Sequence, residues 1–117
     1  RNACGMKYLI SFPAPAMKVS AEELPAVSEE SHNVIREAKA AGVYVFGGGL
    51  NEGVGAVMVA ADGTTKADTY PQTKELSGGF CVLELPSREV AIQWATKFAQ
   101  ACRCSQELRE FHFDPES

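Results

Sequence analysis

The sequence predicts a single α+β domain, with one antiparallel sheet, two helices laid on one of its faces, and a small two-stranded excursion. Three observations carry this. The chain has 117 residues, 45% of them apolar, which suffices for one packed core and is too little for two domains. Two segments repeat apolar residues at helical spacing. The segments between them alternate apolar and polar residues, or run as short apolar stretches bounded by Gly, Pro and Asp, as strands do.

The first strand is expected at residues 7–12 (KYLISF), with Tyr8, Ile10 and Phe12 on one face and Pro13 and Pro15 ending it. Ser20 followed three residues later by Glu23 has capping-box spacing, and a helix follows to about residue 41. Pro25 falls near its first turn, where a missing N–H is best tolerated; a helix that breaks and restarts near Ser28 is also compatible. Val27, Ser31, Val34, Ile35, Ala38 and Ala41 form its core stripe, and Gly42 stands where a left-handed residue ends a helix. The second strand is 43–46. Gly47, Gly48 and Gly49 then let the backbone bend or approach something closely, and 51–55 is a turn. A third strand covers 56–61, Asp62-Gly63 marks a hairpin, and a polar fourth strand at 64–69 reads as an edge.

After the polar stretch DTYPQTKELSGGF (68–80), a fifth strand runs over 80–85 and Pro86 stops it. Ser87 caps a second helix reaching about residue 102. Its core positions are Val90, Ala91, Trp94, Ala95, Phe98 and Cys102, and burying Val90, Trp94 and Phe98 is worth roughly 1.5–3 kcal/mol each. Residues 106–113 form the last strand and 114–117 a polar tail, so the domain is expected to span 6–114. With the hairpin of strands three and four set aside as an insertion, the order becomes β-α-β-β-α-β, the ferredoxin-like split βαβ plan. Leu9 points away from Tyr8, Ile10 and Phe12, so the sheet face without helices is apolar too. A homodimer that stacks two sheets face to face, a dimeric α/β barrel, is the economical way to hide it.

The net charge of −4 is mild and argues against nucleic-acid and anionic-membrane partners, both of which need a basic patch. The longest apolar runs are far shorter than a membrane span. Residues 1–5 lack the apolar region of a signal peptide; Met6 could be the native start, with 1–5 a cloning remnant or a frayed N-terminus. Cys4, Cys81, Cys102 and Cys104 form no CxxC pair, and Cys81 reads as a small core residue. Cys102-x-Cys104 is a weak metal or redox signal beside the expectation of reduced thiols in a cytoplasmic protein. There is no HxxxH, HxH or three-ligand cluster, so no metal or other cofactor is expected.

The start MKYLISF, the helix end REAKAAGVYVFGGGL, the segment DTYPQTKE, the run SGGFCVLELPSREVAIQWATKF and the short final strand together resemble the YCII-related family, in its DGPF-type branch. The resemblance covers residues 6–113. That branch shows an Asp-Gly-Pro-Phe turn followed by Glu-Thr-Lys-Glu, then a glycine and a strand. Asp68, Pro71, Thr73, Lys74, Glu75 and Gly79 fit; Thr69, Tyr70 and Gln72 depart, so the Asp-Gly-Pro-Phe turn is not intact. The resemblance implies a dimeric α+β barrel and no defined activity. Some relatives in the wider family look like lyases or dehydrochlorinases of ring compounds with a suspected His-Asp dyad. His32 stands near the family histidine, while Pro13, Ala14 and Pro15 occupy the end of strand one where an aspartate would be needed. The resemblance also implies a regulatory setting, since some DGPF-type genes are held to lie beside alternative sigma factors.

His32 is the candidate base, because an imidazole titrates near about pH 6.5; its alternative is a half-exposed histidine on the rim of the helix stripe. Asp68 is the candidate orienter and Lys74 the anion partner, with Glu75 beside them at a pocket mouth. This set suits a small anionic or aromatic ligand such as a carboxylate or phenolate. The alternative is that Asp68 and Thr73 merely hold a turn. Gly48 and Gly49 do not form a nucleotide loop and fit a bulge or a close ligand approach. His112 is expected to share a face with Leu108 and Glu110 inside the barrel, or else to lie at the surface or an interface. Two functions follow: a small-molecule enzyme performing proton transfer or elimination, or a non-catalytic ligand-binding or regulatory accessory protein with the same cavity.

Overall fold

A computed structural model describes residues 5–117; Cys4 and nearly all of the segment read as a possible N-terminal remnant lie outside the described residues. The elements are β1 (Met6–Phe12), a 3-10 turn (Ala14–Ala16), α1 (Leu24–Ala40), β2 (Tyr44–Gly49), β3 (Met58–Val59), β4 (Thr65–Lys66), a second 3-10 turn (Pro71–Thr73), β5 (Gly79–Leu85), α2 (Arg88–Cys102) and β6 (Glu107–Glu110). The main sheet has the order β2-β5-β1-β6, and every neighbouring pair is antiparallel. β3 and β4 pair only with each other. This is the α+β, ferredoxin-like plan with an inserted ribbon.

The period of two in β1 and β5 sets the core. Tyr8 pairs with Leu83 and Ile10 with Cys81, and these residues, with Leu85, are buried against Ala38 of α1 and Ala91 and Phe98 of α2. Ile10, Leu83 and Leu85 are fully enclosed, worth roughly 1.5–3 kcal/mol each. The helix ends follow their local signals. The Glu23 N–H donates to Ser20 Oγ (3.1 Å) while the Ser20 N–H donates to Glu23 Oε1 (2.9 Å), the reciprocal capping box. Residues 21–23 form a turn ahead of α1, which then runs unbroken through Pro25 in its first turn. Gly42, at φ +76°, ends α1: Val43 N–H donates to Ala38 O and Gly42 N–H to Lys39 O, a Schellman closure. Ser87 Oγ accepts from Val90 N–H (3.2 Å) and caps α2.

The structure departs from the sequence expectations in three places. Gly47, Gly48 and Gly49 do not bend the chain; they continue β2 and pair with Cys81, Phe80 and Gly79. The irregularity sits at Val45 instead, where the register shifts between Tyr44 and Phe46. Gly47 is required for space, since a Cβ there would press on the Tyr44 hydroxyl and lie 2.8 Å from Cys81 Cβ. Second, β3 and β4 shrink to two residues each, because their ribbon is exposed and has no second layer to extend the pairing. Third, β6 stops at Glu110, so alternation does not carry His112 onto the face of Leu108.

Candidate functional site

A cavity of about 490 Å³ opens between the N-terminal half of α1 and the sheet, within the roughly 300–1,000 Å³ typical of small-molecule sites. Its origin is a deficit of side chains. Gly79 lies between Phe12 of β1 and Gly49 of β2, so two paired positions carry no side chain. Ile10, Phe12, Val27, Ile35 and Phe98 supply apolar walls, and the Tyr44 ring folds over Gly47.

The polar groups are few. On α1, Ser28, Ser31, His32 and Ile35 all reach the cavity, as residues three and four apart on one helix face do; His32 is on the exposed rim. Glu52, in the loop after β2, reaches the same space. Other ionisable groups in the wall are held neutral. Burial, then the neighbouring Cys81, raises the Tyr44 phenol above its ordinary value. Burial, then Cys102, pushes the Cys81 thiol up to about 12. Burial, then Cys104, pushes Cys102 up to about 11. His32 and Glu52 are the remaining ionisable side chains of the wall.

The other site residues expected from sequence fall elsewhere. Asp68, Lys74 and Glu75 line an adjoining depression of about 740 Å³, which shares Ala14, Leu50 and Glu52 with the cavity. Asp68 Oδ1 accepts from the Thr69 N–H (2.8 Å), and its Oδ2 lies 3.7 Å from Lys66 Nζ, so it holds its own turn. Lys74 follows the second 3-10 turn, and its N–H donates to Pro71 O. Ser77 Oγ, which accepts from the Ala14 N–H (3.1 Å), ties this stretch to the end of β1. His112 lines a groove on the open sheet face with Lys7, Val45 and Val82. His32, Gly48 and Gly49 are therefore brought together, Asp68, Lys74 and Glu75 lie next door, and His112 is on the other side of the sheet.

Sequence reasoning missed Glu52. It sits in a turn, twenty positions from His32, and no spacing rule links a turn carboxylate to a helix histidine. No group of three His, Cys, Asp or Glu residues among the described residues is arranged to hold a metal ion. No helix among them is long and apolar enough to cross a membrane. A family model described as YCII-related domain matches residues 6–109. No curated protein matches the chain.

Proposed function

The chain belongs to the YCII-related family, and from that premise we propose that its cavity takes a small, largely apolar or aromatic molecule on which His32 and Glu52 carry out proton transfer. The observation that carries this is the cavity itself: an apolar chamber opened by the Gly49–Gly79 pair, with one imidazole and one carboxylate at its edge. A ligand long enough to pass Leu50 and Glu52 would present an anionic group to Lys74, with Asp68 and Glu75 beside it. The fit of Asp68, Pro71, Thr73, Lys74, Glu75 and Gly79 supports placing the chain in the DGPF-type branch. Free thiols at Cys81, Cys102 and Cys104 suit a reducing, cytoplasmic setting. The open sheet face supports a sheet-to-sheet homodimer, since Val45, Phe46, Phe111 and Phe113 stand 44–59% exposed on or beside it.

A non-catalytic ligand-binding role is the second reading, favoured by the exposure of His32. One experiment separates the two. Amide chemical shifts are followed in ordinary water while a panel of small phenols and carboxylates is added, and the same compounds are then incubated with the protein in heavy water. Binding should move the Gly49 and Gly79 signals, and Gly49→Val should abolish it by filling the cavity; a Cβ at Gly49 meets nothing closer than 3.7 Å, and circular dichroism checks that the variant folds. Deuterium incorporation into the bound compound, lost in both His32→Gln and Glu52→Gln, supports proton transfer. Binding without exchange leaves a ligand-binding protein. Binding that survives Gly49→Val removes the cavity from the account.

A further inference from the structure

Residues 50–78 leave the sheet after β2 and return to it at β5, and the Leu50 N–H donating to Gly78 O (2.8 Å) closes their base. Within the excursion β3 and β4 pair with each other and with no strand of the main sheet. An isolated two-stranded ribbon is marginal in water and needs a layer to lie on. This one instead displays Val54, Val57, Val59, Tyr70 and Leu76, each 57–69% exposed. Lys66 and Asp68 form an ion pair internal to it, and its exposed charged side chains stand among these apolar ones.

The dimensions say how much surface awaits cover. The molecule measures 44 × 42 × 20 Å, a slab two layers thick, and the ribbon of the excursion is no part of the main sheet. The radius of gyration is 16.0 Å, against about 13.4 Å for a compact chain of this length. The accessible surface is 8160 Å², about 2,000 Å² more than the roughly 6,200 Å² of a compact monomer of this mass. That excess is more than twice the roughly 800 Å² that each partner contributes to a standard interface.

We propose that residues 50–78 are an arm that packs on a second copy of this chain. A second copy is the fitting occupant because one two-fold partner answers both deficits: it covers the open sheet face and receives the arm, while giving its own arm in return. The arm contact rests on the homodimer proposed above but is a separate surface, and the two are separable by mutation.

Sedimentation velocity over a concentration series tests this with three full-length proteins: wild type, the arm variant Val57→Lys/Val59→Glu, and the sheet-face variant Phe46→Glu. Circular dichroism checks that each is folded. The wild type should be a dimer, and the arm variant should raise its dissociation constant about tenfold to a hundredfold. Hydrogen exchange at the Ala60 and Gly63 amides of the ribbon should quicken on dilution in parallel. A wild type that is monomeric at all concentrations overturns both the arm and the sheet pairing, whatever the ribbon's exchange. A dimer weakened by Phe46→Glu but indifferent to the arm variant overturns the arm proposal alone. A dimer weakened only by the arm variant supports the arm and overturns the sheet pairing.

Discussion

Replacing Gly78 by alanine tests the junction on which the cavity and the arm both depend. Gly78 has φ +85°, where a side chain costs roughly 1–2 kcal/mol by clashing with its own backbone. A Cβ there would also press on the Phe12 carbonyl oxygen and lie 2.7 Å from Ala14 N and 2.9 Å from the Pro13 carbonyl carbon. All three are backbone atoms and cannot swing aside, so overpacking adds roughly 1–3 kcal/mol. The sum is a destabilisation of roughly 2–5 kcal/mol. Gly42→Ala is the control. Its φ is +76° but nothing lies within 4 Å of the added methyl, so only the first term, roughly 1–2 kcal/mol, applies. Urea unfolding reads both. With a slope of roughly 1–3 kcal/mol per molar, Gly78→Ala should lower the midpoint by about 1–2 M and Gly42→Ala by about half as much. Equal shifts for the two variants would show that the turn at Gly78 does not press on the end of β1, and the account of how the arm's base is held would fail.

Thiol labelling at pH 8 should modify Cys104 well before Cys81 and Cys102, which are buried and pushed up to about 12 and about 11; equally fast labelling of all three in the folded protein would refute their placement. Because folding raises these two values, their contribution to stability is whole below the unfolded thiol value of about 8.5 and is lost as pH climbs from there toward about 11 to 12, so Cys81→Ala should flatten the alkaline fall in urea midpoint. At the end of α2, Arg103 combines a left-handed backbone (φ +60°) with a two-pronged pair to Glu30 at 2.6 and 3.2 Å. Arg103→Gly should therefore be more stable than Arg103→Ala, since glycine relieves the strain while both lose the pair. Arg103 holds the Glu30 carboxyl below its ordinary value, so that contribution is present at neutral pH and lost on acidification; Arg103→Ala should weaken the acid dependence of the midpoint.

Both helices and the four main strands could be read from sequence because their signals are local. A capping box, a Schellman glycine and an N-cap serine each act within about five residues, and the alternation of Tyr8, Ile10, Cys81, Leu83 and Leu85 lies within two short runs. The split βαβ plan followed from the order of these elements. His32 could be singled out as an imidazole on a stripe edge, whereas the open space beside Gly48 and Gly49 could not be read from the sequence.

The gathering of the site could not be read in this way, since it depends on register between distant segments. Gly49 opens a cavity because it is paired with Gly79, a pairing that no local rule links across the intervening residues. Glu52 joins His32 because the chain turns after β2, while Lys74 and Asp68 are set beside the cavity because Ser77 and Gly78 anchor their loop to the end of β1 and to Leu50. The helices, the main strands and the apolar face they share were written in local order, because propensity and periodicity are properties of neighbouring residues. Which side chains meet, where side-chain volume is missing and which apolar surface stays uncovered emerge only on folding, because pairing register and layer packing join residues that no local rule connects.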